Sequence, residues 1–191
     1  MSKGPGIKGT LFETVANDVN ALVARGALRR EDLELRLEPA DLPYLEEKIG
    51  GAFWYPIETY RRLLETLRDV EGGDAPHAYL RERGAAAARR LIEGGLYKQM
   101  DANVETWGER VGNIMVTLAP VIFNFGSWTC DTDEAGELEL EACEVEPLPE
   151  VSRIVIEGFV SVMATRALKT PVTVRSQRPE RGRIRFRGTP D

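Results

Sequence analysis

The chain has 191 residues, 42% of them hydrophobic, which is enough for one well-buried core. Gly, Pro or charge interrupts every apolar stretch before the roughly 20 residues that a membrane span requires. No apolar signal core follows MSKGPGIKGT, so the formal charge of −6 is read as that of a soluble, cytoplasmic protein with reduced thiols.

Residues 1–8 read as a polar, flexible lead-in. TLFE places Thr10 as a helix cap with Glu13 at the capping-box position. Leu11, Val15, Val19, Leu22 and Val23 then recur at helical spacing as far as Gly26. A short helix is expected over Arg30–Leu37. Another opens at Asp41 in DLPYLEEKIGG, with Pro43 in its first turn and Gly50–Gly51 as its stop. Pro56 starts a helix whose stripe is Ile57, Tyr60, Leu63, Leu64 and Leu67, ended by Gly72–Gly73. APHAYLRERGAAAARRLIEGGLYKQM gives one long helix or two, interrupted near Gly84 and Gly94–Gly95. Its run Ala85–Ala88 is small enough for a second helix to approach closely. Val104, Trp107, Val111, Ile114, Met115, Leu118, Ile122 and Phe125 mark one helix over Asn103–Phe125, kinked or ended by Pro120.

The remainder changes period. SWTCDTD and ELELEACEVE, joined by EAGE, alternate as a hairpin. VSRIVIEGFVSVMATRAL is helical, with a mid-helix Gly158 that a close approach to the sheet would explain, and PVTVRSQR and RIRFRGTP form a second hairpin around PERG. The fold class is therefore α+β: an N-terminal helical portion, then an antiparallel sheet of about four strands with a helix between two hairpins. Residues 1–191 read as a single domain, with 9–125 mainly helical and 126–188 hairpin–helix–hairpin.

Charge is distributed unevenly. Residues 151–191 hold nine basic and three acidic side chains, whereas Asp131–Glu150 holds nine acidic and none basic. Placing the hairpins in one sheet puts Glu137, Glu139 and Glu141 on the same solvent face as Arg183, Arg185 and Arg187. Leu138, Leu140, Val172, Val174, Ile184 and Phe186 then line the buried face. The alternative is a nucleic-acid surface made of Arg175, Arg178, Arg181, Arg183, Arg185 and Arg187. The overall acidity and the lack of a helix-turn-helix or aromatic RNA-binding signature count against it.

The segments WYPIETYRRLLETL, RGAAAARRLIEGG and EGFVSVMATRALKTPVTVRSQRPERGRIRFR carry a resemblance. Together they are similar to the superfamily of haem nitric-oxide-binding domains, vinyl-reductase-type small-molecule-binding domains and TRAPP subunits. More narrowly, they resemble a myxobacterial paralogous family of about this length. The resemblance spans roughly residues 7–188. It implies a fold whose members bind small apolar molecules or pair as dimers. Two departures limit it. RSQRPERGR has neither the Cys nor the His of the vinyl-reductase-type metal motif. VRSQR keeps Ser176 and Arg178 of the Tyr-x-Ser-x-Arg motif that serves haem propionates, but puts Val174 at the Tyr position. Neither metal nor haem is implied.

The residues agree with that. His77, the only histidine, follows Pro76 at a helix start with no further ligands near it in sequence. The cysteines, Cys130 and Cys143, lack CxxC spacing, and no GxSxG, Walker or dinucleotide pattern occurs. Carboxylates are dense only on faces read as solvated. No catalytic, cofactor or metal residues are assigned, and an enzyme with a nonstandard site is the remaining alternative. The aromatic and aliphatic side chains Trp107, Ile114, Phe123, Trp128, Phe159 and Met163 are the candidate lining of a small apolar pocket. Ala85, Ala87 and Ala88 are the candidate dimer surface. The reading is a non-enzymatic sensor or adaptor domain without a cofactor, dimeric, acting through contacts with a further protein.

Overall fold

In the computed structural model, which describes residues 4–94, 107–132 and 138–190, the change of period in the sequence becomes a change of architecture. The chain divides into two compact units, Met1–Tyr79 with Ile122–Asn124, and Leu80–Val121 with Phe125–Asp191. The sequence offers no composition break at these boundaries.

The first unit is mostly helical. Strand β1 (Gly6–Lys8) pairs antiparallel with β2 (Trp54–Pro56), so part of the expected lead-in is ordered; Ile7 is buried. Helix α1 (Gly9–Ala24) follows β1 directly and packs on α4 (Ile57–Glu71). Its cap is Lys8, without a side-chain hydrogen bond, so the Thr10–Glu13 capping box is not formed. Instead the Gly9 N–H donates to the Phe53 carbonyl at 2.9 Å. Phe12, Val15, Ala16, Val19 and Leu22 form the buried stripe of α1, and Phe12 stacks on Tyr55 at 4.8 Å between ring centroids. The short helices α2 (Arg30–Glu34) and α3 (Pro43–Glu46) stop earlier than their sequence patterns suggest.

Asp41 does not begin a helix. It is 1% exposed and fastens the loop before α3 to α4. Arg62 Nε and Nη2 donate to its carboxylate at 2.6 and 3.0 Å, Thr59 Oγ1 at 2.5 Å and the Glu38 N–H at 2.9 Å. Burial would raise its pKa; the bonds from Arg62, Thr59 and Glu38 outweigh that and hold it below its ordinary 3.8.

The second unit takes most of α5 (Pro76–Glu93) and of α6 (Trp107–Ile122), then β3 (Ser127–Thr132), β4 (Leu138–Cys143), α7 (Glu150–Leu168), β5 (Val172–Glu180) and β6 (Arg183–Pro190). The strand order β3–β4–β6–β5 is antiparallel throughout. This is hairpin–helix–hairpin, and the α+β class holds. Leu138, Leu140, Val174, Ile184 and Phe186 are at most 1% exposed on the helix-covered face. Pro120 lies inside α6, near its end; residues 103–106 fall outside the described residues.

Helix α5 runs through Gly84 without a break. A Cβ at Gly84 would overlap the Val155 carbonyl oxygen, and one at Gly158 would overlap that of Arg81. The mid-helix glycines therefore exist for a backbone-to-backbone crossing of α5 on α7. It is this helix, not the sheet, that approaches Gly158.

Two outcomes follow. Gly158→Ala improves helix propensity by about 1 kcal/mol, yet is expected to destabilise the fold by roughly 1–3 kcal/mol through overlap, read from urea unfolding. Because the Asp41 pKa is depressed on folding, its contribution is present above the ordinary carboxylate range and fades as pH falls through it. The stability gap between wild type and Asp41→Asn should therefore shrink from about pH 6 to about pH 3.

Candidate functional site

The deepest polar cluster of the second unit centres on Glu157, which is 2% exposed in an otherwise apolar stretch of α7. From α5, Arg81 Nε donates to Oε2 at 2.7 Å. One turn before, Arg153 Nη1 reaches Oε1 at 3.3 Å. From β5, the Ser176 N–H and Oγ donate to Oε1 at 2.9 and 2.6 Å. Arg153 Nη1 also donates to the Ser176 carbonyl and Oγ, at 3.0 and 2.5 Å. The carboxylate thus accepts from three elements and is neutralised by two guanidinium groups, the arrangement a buried charge needs.

Arg178 extends the cluster toward the surface. Its Nε donates to Glu150 Oε1 at 2.6 Å, and its Nη atoms donate to the carbonyls of Leu148, Arg181 and Val145 at 2.6, 2.8 and 3.3 Å. Burial opposes ionisation of Glu150, but hydrogen bonds from Arg153 and Arg178 bring its pKa below the usual value. Ser176 and Arg178, which the sequence compares with a propionate-binding motif, are thus both engaged by the chain's own carboxylates. Val174 is fully buried. Sequence reading missed Glu157. The available signal was a lone acid at a position where α7 is apolar on every side.

The other expected residues are dispersed. Ile114, Trp128 and Met163 are buried, and Trp128 stacks on Phe186 at 5.9 Å. Phe159 is half-buried. Phe123 is buried but belongs to the first unit, and the Trp107 side chain lies outside the described residues. Ala85 and Ala88 are turned into the protein and Ala87 is only partly exposed. The small residue of α5 that meets α7 is Gly84, at the Val155 carbonyl. His77 is exposed at the start of α5. Among the described residues no group of three or more His, Cys, Asp or Glu is placed to hold a metal ion.

Cys130 and Cys143 sit on opposite faces of the sheet, since Cys130 registers with buried Leu140 and Cys143 with Arg183; they cannot bridge without a shift of register. Burial, helped by the Asp131 charge, pushes the Cys130 thiol up to about 11. On the solvent face, Arg187 Nε meets Glu139 at 2.9 Å and Arg185 meets Glu139 and Glu141 at 3.0 and 3.2 Å. Glu137 lies outside the described residues. A cavity of about 550 Å³ opens between the ends of α5 and α7. Ile92 and Val162 give it apolar walls, and Arg89, Glu93, Thr165, Arg166 and Lys169 surround them.

Known proteins resemble this chain in fold. No family model and no curated protein matches it. A mutant of the T. Tengcongensis H-NOX superposes with a TM-score of 0.62 at 14% identity, over 97% of this chain and 98% of its own. An Fe(II) unliganded H-NOX mutant from K. algicida gives 0.61 at 11% identity, over 97% of both chains. A structure from work on haem distortion in the H-NOX family gives 0.58 at 11% identity, over 97% and 95%. The haem-nitric-oxide-binding resemblance read from the sequence is thereby matched at the level of the fold.

Removing the central carboxylate should be costly. Glu157→Gln leaves Arg81 and Arg153 facing an amide and is expected to lose about 3 kcal/mol, the low end for a broken buried pair, because Arg81 is 30% exposed. Glu150→Gln, at a site 58% exposed, should lose less than about 1 kcal/mol. Urea unfolding of the two variants makes the comparison.

Proposed function

We propose that this chain is a haem-free, non-enzymatic sensor or adaptor domain of the cytoplasm. It works as a homodimer, signals through contacts with a further protein, and has room for a small, mainly apolar ligand. One observation carries the haem-free reading. The residues matching the propionate motif are filled from within, Ser176 by Glu157 and Arg178 by Glu150. A second anion at that place would face two carboxylates already present. His77, exposed and without a ligand cluster, does not supply an axial position. The residues present do not fit haem.

The non-enzymatic reading is supported by how the most buried acids are used. Asp41 and Glu157 are both committed to arginine, whereas a general acid or base needs an open approach to the group it serves. The nucleic-acid alternative loses its surface in part, because Arg183, Arg185 and Arg187 pair with Glu139 and Glu141 and Arg178 is bound inward. No helix among the described residues is long and apolar enough to cross a membrane. For the ligand, the groove between the ends of α5 and α7 offers an apolar floor ringed by Arg89, Arg166 and Lys169 with one acid, Glu93, which suits a small, mainly apolar molecule.

Paired native and denaturing mass spectrometry, with a hemin titration on the same preparation, tests the reading. The expected result is a dimer whose extra small-molecule mass disappears on denaturation, and no sharp Soret band on adding hemin. Stoichiometric hemin uptake with such a band would remove the haem-free assignment.

A further inference from the structure

The solvent face of the sheet carries a charge pattern that its own strands leave unresolved. Across one row, β3, β4, β6 and β5 present Asp131, Glu139, Arg187 and Arg175 in register. The inner pair is satisfied, with Arg187 on Glu139 at 2.9 Å. The outer pairs are like-charged: Asp131 stands directly opposite Glu139, and Arg175 directly opposite Arg187. Like charges at directly opposed positions destabilise an antiparallel pair. Among the described residues, the Arg175 guanidinium bonds to the Val174 carbonyl at 3.2 Å and to no acid. Asp131 is exposed and, among the described residues, pairs with no base. In the adjacent row Thr129, Glu141, Arg185 and Gln177 repeat the inner acid–base pair between neutral edges.

Read from β3 to β5, the row is minus, minus, plus, plus. A two-fold axis running along the strands between β4 and β6 turns it into plus, plus, minus, minus. Each charge then faces its opposite, and Asp131 of one copy meets Arg175 of the other. We propose that this face is where a second copy of the chain docks, face to face, with β4 of each protomer over β6 of its partner. The surface rests on the dimeric reading above and gives it a location. Four strands about 4.8 Å apart and six residues of about 3.4 Å make a face of roughly 20 by 20 Å, small for a stable interface. The dimer is therefore weak and loosened by salt.

The two edge positions test this without endangering the fold. Arg175→Glu places an acid opposite Arg187, and Asp131→Arg places a base opposite Glu139, so each substitution relieves a like-charge pair within the monomer. In a homodimer of either variant, however, like charges now meet across the interface. Analytical ultracentrifugation at low salt should show each variant dimerising at least roughly tenfold more weakly than wild type. An equimolar mixture of the two should recover dimer, seen by native mass spectrometry as the mixed species, because each new charge finds its complement on the other chain. Variants that dimerise as wild type does would exclude this face while leaving the dimer intact. A wild-type chain that stays monomeric at every concentration would overturn both the face and the dimeric reading.

Discussion

The sheet-bearing unit depends on one buried carboxylate. Glu157 joins α5, α7 and β5 because each offers it a donor, and no apolar contact would fix the three with the same geometry. The glycine crossing makes this reachable. With Gly84 and Gly158 free of side chains, the backbones of α5 and α7 touch, and Arg81 comes from α5 to the residue beside Gly158. A buried ion pair of this kind contributes little net stability against an apolar substitute, but it is unforgiving of losing one partner. It therefore selects one register of helix on helix and of helix on sheet.

The first unit solves a similar problem with Asp41. There too a nearly inaccessible acid is surrounded by an arginine, a hydroxyl and a backbone N–H, and it secures a loop that has little regular structure to hold it. In both units the acid is consumed by architecture. That leaves surfaces, such as the charged face of the sheet and the groove at the ends of α5 and α7, as the places where the molecule can meet something else.

Much of the fold was legible because periodicity reports burial directly. The stripes of α4 and the alternation of β4, β5 and β6 each lie where their spacing puts them, and the charged sheet face follows from the same alternation. What was not legible depended on contacts distant in sequence. Thr10 looks like a cap, but pairing of β1 with β2 starts the helix earlier. Asp41 looks like another cap, and only Arg62 and Thr59 on α4 draw it inward. Gly84 looks like a break until α7 is laid across it. The lone acid in VSRIVIEGFVSVMATRAL was visible, but its partners Arg81 and Ser176 are 76 and 19 residues away.

The order of the strands has a consequence for how the protein is made. Strand β6, the last in the sequence, lies between β4 and β5. The first hairpin and α7 can form as they emerge from the ribosome, but β4 keeps an open edge until residues 183–190 arrive to fill it. Closure of the sheet is thus a late, long-range event, which is intrinsically slow, and the nascent chain exposes an unpaired, alternating strand in the meantime. The acidic side chains of β4, Glu139 and Glu141, which later pair with the arginines of β6, meanwhile keep that edge charged and discourage it from templating a neighbouring chain.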